Sequence, residues 1–176
     1  MSFPSGPLAA HFRSAESPAL FTGPQPRLII DTRGLIAPLL DNTVFCCGDL
    51  AFSFLKDVTV HLIAPRRDRA NVPYLLSELA NDLRGGTVSR QAIGPRTEAA
   101  IRGLAEDVLR LPLHPLPVVV EDRSGEHYLV LEGAKRFAAV ALADPTILPP
   151  PCEALVGSSS LTWPEMLRLF GMVPPA

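Results

Sequence analysis

Leu116-Pro117-Val118-Val119-Val120-Glu121, a polar turn from Asp122 to Glu126, His127-Tyr128-Leu129-Val130-Leu131, and then Glu132-Gly133-Ala134-Lys135-Arg136-Phe137-Ala138-Ala139-Val140-Ala141-Leu142-Ala143 form the stretch whose reading decides the fold. Two short β-branched runs joined by a Gly-containing turn predict a pair of strands, and the Ala-rich run after Gly133 predicts a helix. That helix begins at a glycine and carries two cations in its first turn. Its first backbone N–H groups lack intrahelical partners and lie at the positive end of the helix dipole, so with Lys135 and Arg136 beside them they suit an anion, phosphate first of all. The alternative for Arg136 is a surface pair with Glu132 or Asp144, worth at most about 1 kcal/mol. A cation in a first turn is disfavoured by the dipole unless something negative joins it, which favours the anion. On that reading, removing Arg136 weakens ligand binding and leaves the unliganded protein as stable as before.

The order strand, turn, strand, Gly-x-x-Arg, helix resembles the ParB/sulfiredoxin superfamily. The corresponding box here is Glu132-Gly133-Ala134-Lys135-Arg136-Phe137. The helical run from Thr97 to Leu111, followed by Pro-Leu-His-Pro-Leu-Pro and the Val strand, is similar to the helix that leads into the family's first box strand. The resemblance covers roughly residues 88–157. Ala134 stands where sulfiredoxins have their reactive cysteine, and Ala138 stands where partition-type ParB domains have the last arginine of their box. Gly133 and Arg136 are shared by the ParB, serine-kinase and sulfiredoxin patterns. The free-serine kinases of this fold also place a catalytic acid in the loop and helix start before the Val strand, which brings in Arg96 and Glu98. Glu98 has an ordinary explanation as well, as an acid in the first turn of a helix.

The chain has 176 residues, 47% of them apolar, and a net charge of −2. With a mean hydropathy of +0.22 this is the composition of a folded domain that can bury a core, without the general basic surface of a nucleic-acid binder. Of the 16 basic residues only Lys56 and Lys135 are lysine. Cys46, Cys47 and Cys152 offer neither a disulfide framework nor a CxxC pair, and the adjacent Cys46-Cys47 reads as buried small apolar residues. A reducing cytoplasm fits that usage, and no apolar run reaches the roughly 18 residues of a membrane span.

The fold expected is α/β (α+β), a small mixed sheet flanked by helices: an irregular N-terminal arm over residues 1–26 and a single ParB/sulfiredoxin-like domain over 27–176. Phe3, Phe12, Leu20 and Phe21 give the arm apolar anchors for docking on the domain or on a partner. Strands are expected at 27–31, 44–47, 58–63, 87–93 and 152–156. Alternation in 58–63 places His61 on the exposed side. Helices are expected from Asp49, as cap, to Lys56; from Val72 to Arg84 with Asn71 as cap and Gly85-Gly86 beyond; and from Ala99 to Arg110. Arg66-Arg67-Asp68-Arg69 is a solvated loop, and Leu111–Pro117, with three prolines, is an extended connection. Thr162 and Glu165 form a capping box for a last short helix whose Trp163, Leu167 and Phe170 cover the core.

Three functions are compatible with these residues. The first is a phosphotransferase or nucleotide hydrolase using ATP or CTP with Mg²⁺ on a small molecule. There Gly133 lets the backbone approach the phosphates, Arg136 and Arg96 hold their oxygens, Lys135 offsets developing charge, and Glu132 or Glu98 orients the hydroxyl or the metal. No dedicated metal-ligand set is present. The second is a non-catalytic regulatory or partner-binding module, possessing the box without its chemistry at Ala134 and Ala138, with a protein partner or a homodimer formed through the arm. The third is a DNA-associated ParB-like protein, disfavoured because no helix-turn-helix follows the domain.

Overall fold

Successive residues of a strand point to opposite faces of its sheet, and in the central strands of this protein both sets are buried. The computed structural model describes residues 6–14, 37–65, 71–87, 93–112 and 115–175. Among these, seven strands and six α-helices follow the order β1 (Phe12–Ser14), α1 (Ala37–Asp41), β2 (Thr43–Leu50), α2 (Phe54–Asp57), β3 (Thr59–Pro65), β4 (Pro73–Leu75), α3 (Leu76–Gly85), α4 (Pro95–Glu106), β5 (Val118–Glu121), β6 (His127–Glu132), α5 (Ala134–Leu142), β7 (Cys152–Ser159) and α6 (Trp163–Leu169). Short 3-10 turns lie at Pro7–His11 and Val108–Arg110. One sheet runs β1-β2-β7-β5-β6-β3-β4. It is parallel at β7/β5 and β6/β3 and antiparallel elsewhere, so the mixed α/β class expected from the sequence is what forms. The strand expected at 27–31, the arginine loop at 66–69 and most of the strand at 87–93 lie outside the described residues.

The first face carries Val60, Leu62, Val119, Tyr128, Val130 and Val156, packed against Phe54, Leu79, Leu83, Ile101 and Phe137 from α2 to α5. On the other face Val118, Val120, Leu129, Leu131 and Leu155 meet Leu39 and Leu40 of α1, Trp163, Met166 and Leu167 of α6, and Met172. All four residues of β5 are buried, as its uninterrupted Val run requires. Two-sided covering corrects the expectation for His61. The alternation is real, but the second face is dry, and His61 is 1% exposed.

Tertiary pairing overrides two local signals. Asp49 does not cap a helix: it lies in β2, in register with Arg13 on one side and Glu153 on the other, and α2 starts after Ser53 instead. Eight consecutive pairs between β2 and β7 outweigh the preference of one aspartate. Nor does Asn71 cap α3. Residues Pro73–Leu75 pair with β3 as an edge strand, where a proline at the first position costs no ladder bond, and the helix begins at Leu76. Its end matches the sequence: Gly86 has φ 67° and its N–H turns back to the α3 carbonyls. The capping box of α6 also forms, Thr162 N–H donating to Glu165 Oε2 at 2.8 Å.

The described part of the arm is not irregular. Its 3-10 turn buries Leu8 completely, and Phe12–Ser14 adds β1 to the edge of β2. His11 fastens it to α2, with Nδ1 3.0 Å from Ser53 Oγ and Nε2 2.8 Å from Asp57 Oδ2.

The long β2/β7 pairing has one tight point. Gly157 lies opposite Phe45, and a Cβ there would come within 2.6 Å of Thr43 Cγ2 and 2.8 Å of Phe45 Cε1. Gly157→Ala should therefore cost about 1–3 kcal/mol through overpacking, measured as a urea midpoint. Adding Thr43→Ser, which removes Cγ2, should recover part of the loss; a double variant no more stable than Gly157→Ala alone would show that the methyl contact is not the cause.

Candidate functional site

The start of α5 was the strongest sequence candidate, and its geometry is well defined. Gly133 has φ 89° and forms the N-cap. A side chain here would meet strain, and its Cβ would lie 3.2 Å from Arg136 Nη2 and 3.3 Å from Pro117 Cβ. Arg136 does not project toward solvent. It is 6% exposed, and its Nη1 donates to the Pro112 carbonyl at 3.0 Å while Nη2 donates to that of Pro115. Burial lowers its pKa, with Cys152 and Glu132 acting in the opposite sense. The guanidinium thus ties Pro112 and Pro115 of the proline-rich connection to the first turn of α5. The bonds Arg136 makes are to these carbonyls, and not to Glu132 or Asp144 as in the surface pair that the sequence allowed.

Glu132 and Lys135 belong to the same turn as Arg136. Glu132 Oε1 accepts the N–H of Gly133 at 3.0 Å, and Lys135 is exposed. Arg96 is exposed in the first turn of α4. Glu98 is held by Arg102 one turn on, Oε1 accepting from Nε at 2.9 Å and Nη2 at 2.8 Å. The same Arg102 Nη2 donates to the Leu83 carbonyl at 2.7 Å, closing the C-terminal end of α3. Glu132 and Glu98 thus have partners within the protein.

A cleft of about 360 Å³ lies at the other end of α5. Phe52, Val60, Leu76, Ala80 and Val140, all buried, form its floor, and Lys56, Thr59, Ser77, Asn81 and Arg84 stand exposed at its rim. Sequence reasoning missed this site because its walls come from α2, β3, α3 and α5. One signal was present: Ser77, Asn81 and Arg84, spaced four and three apart, make a polar row beside the apolar row of α3.

Trp163, His127 and His61 form a second cluster on the opposite face of the sheet. The rings of His127 and Trp163 stack at 5.0 Å and 11°, and His61 lies 4.5 Å from Trp163. The Nδ1 atoms of both histidines and Nε1 of Trp163 are buried without a hydrogen-bond partner among the described residues. Burial first, and His127 second, lower the His61 pKa from 6.5 to about 4. Nearby, Glu121 is fully buried and accepts the Ser158 hydroxyl at 2.6 Å. Asp122 accepts the N–H groups of Glu126 and His127, at 3.2 and 3.1 Å, closing the β5/β6 turn.

The cysteines are free thiols. Cys46 and Cys47, adjacent in β2, face opposite sides: Cys46 packs in one core, whereas Cys47 Sγ donates to Glu153 Oε1 at 3.2 Å. Burial and Glu153 push the Cys47 thiol up to about 11, away from reactive thiolate. Among the described residues no group of three or more His, Cys, Asp or Glu is placed to hold a metal, and no helix is long and apolar enough to cross a membrane. Fold and site together define a mixed α/β protein with an apolar cleft bordered by helices. Comparison with protein-family models, with curated proteins and with solved structures finds no match to this chain.

Two measurements test this description. Arg136→Ala removes a buried, charged donor from the carbonyls of Pro112 and Pro115, which stand at the surface where water can replace it, so the unliganded protein should lose about 1–2 kcal/mol, with Arg136→Lys recovering part of it; unchanged melting would show that the staple carries no stability. For His61, the fold keeps the ring neutral while the unfolded chain takes up a proton below pH 6.5. Stability therefore falls as pH drops from about 6.5 toward about 4, where the folded ring titrates too. From pH 7 to pH 5 the loss should be about 2 kcal/mol, and His61→Leu should show a correspondingly smaller fall in urea midpoint over that interval.

Proposed function

We propose that this chain is a non-catalytic binding module whose ligand lies in the cleft between α3, α5 and β3, and whose Gly133–Arg136 box serves the scaffold. The commitment of the Arg136 guanidinium to Pro112 and Pro115 carries this reading. The side chain that would clamp phosphate oxygens is itself buried and aimed at two carbonyls of its own chain, so a phosphate would have to reach its remaining donors inside the protein or displace those bonds. Ala134 and Ala138, where the resembling families carry functional side chains, point the same way. The cleft has the form of a small-molecule site, concave and largely apolar with a few polar groups at one side. Support for kinship with the ParB/sulfiredoxin superfamily remains the order of α4, the proline-rich connection, β5, β6 and α5.

The phosphotransferase reading, with ATP or CTP and Mg²⁺, retains one observation: Lys135 is exposed beside the first N–H groups of α5, next to a glycine. Calorimetric titration with ATP, ADP and CTP, each with Mg²⁺, separates the two. The binding-module reading expects no saturable heat. Binding tighter than about 1 mM, or about −4 kcal/mol, that disappears in Lys135→Ala would overturn it and place the function at the box.

A further inference from the structure

The charge of the cleft defines the class of its ligand, provided the binding-module reading holds. Its lining contains two cations, Lys56 and Arg84, and no acid. Both cations reach the same short segment at the end of α5. Lys56 Nζ donates to the Pro145 carbonyl at 3.2 Å, and Arg84 Nη2 donates to the carbonyls of Ala141 and Leu142. Arg84 Nη1 also donates to Asn81 Oδ1 at 3.0 Å. These contacts leave donors over, since an ammonium carries three and a guanidinium five, and neither cation meets a carboxylate among the described residues. Asp144, the acid in that segment, is turned onto Thr146, accepting its N–H at 2.8 Å and its hydroxyl at 2.7 Å.

We infer that the cleft binds an amphipathic anion, with an aliphatic body over Val60, Ala80 and Val140 and a carboxylate or similar head between Lys56 and Arg84. The apolar floor gains from covering by hydrocarbon, and a head of opposite sign at the rim gains charge-assisted hydrogen bonds that a neutral head does not. A cationic head would meet two like charges. Carbonyls at the end of α5 and at Pro145 already engage these side chains, so the anion shares their donors rather than replacing those bonds.

The test uses the full chain and three probes of equal length: decanoate, decanol and decyltrimethylammonium, each below its micellar concentration and followed by calorimetry and thermal shift. Decanoate should bind about tenfold more tightly than decanol, and decyltrimethylammonium more weakly than either. Lys56→Gln and Arg84→Gln should bring decanoate down toward decanol while leaving decanol unchanged, and Lys56→Glu should shift preference to the ammonium probe. Ala80→Phe fills the floor; because that variant risks unfolding, Ser77→Trp at the exposed rim closes the mouth independently. Both should abolish decanoate binding. Equal binding of all three probes, lost in Ser77→Trp, would overturn the anionic head and leave the cleft as a binding site. Decanoate binding at parental strength in Ser77→Trp and Ala80→Phe, or no binding of any probe, would overturn the cleft itself.

Discussion

Removing a guanidinium from water costs several kcal/mol unless its donors find partners, and at Arg136 those partners are the carbonyls of Pro112 and Pro115. Prolines have no N–H, so a connection rich in them cannot stabilise itself by helix or ladder bonds, yet its carbonyls still require donors. One side chain meets both needs, fixing the connection between α4 and β5 against the first turn of α5. The consequence reaches the sheet, because β5 lies between β7 and β6 and Leu155 N–H donates to the Pro117 carbonyl at 2.8 Å. Gly133 belongs to the same device: its φ of 89° suits a residue without Cβ, and a Cβ there would crowd the guanidinium and Pro117.

The sheet that results is covered on both faces. Its central strands have little wet surface on which polar residues can stand, so the polar groups there lie among buried neighbours. Glu121 is taken up by Ser158. His61 is taken up by Trp163 and His127, which keeps it neutral and makes its protonation a cost to the fold.

α5 separates two regions of different character. Its N-terminal turn is closed by the arginine staple. At its C-terminal end the carbonyls of Ala141 and Leu142 accept from Arg84 of α3, and Lys56 of α2 reaches the Pro145 carbonyl just beyond. Cations at a helix C-terminus answer the dipole, and here they also give an apolar cleft a positive edge.

The sequence by itself determined the elements that depend on neighbours along the chain. The Val run of β5, the hairpin with β6, the helix after Gly133, the Gly86 stop of α3 and the Thr162–Glu165 box are local interactions, written in residues a few positions apart. The class of fold followed from their order. Tertiary structure alone decided what those residues face. Asp49 carries the mark of a cap, but pairing with Arg13 and Glu153 across two neighbouring strands makes it a strand residue. His61 alternates correctly and is buried because α6 covers the second face. Arg136 occupies the position of an anion ligand, but carbonyls more than twenty residues earlier in the chain take its donors. The cleft of Lys56, Ala80, Arg84 and Val140 was not legible in any one segment, since a concave surface exists only where separate elements meet, and the energies that join them are those of packing, which no local pattern records.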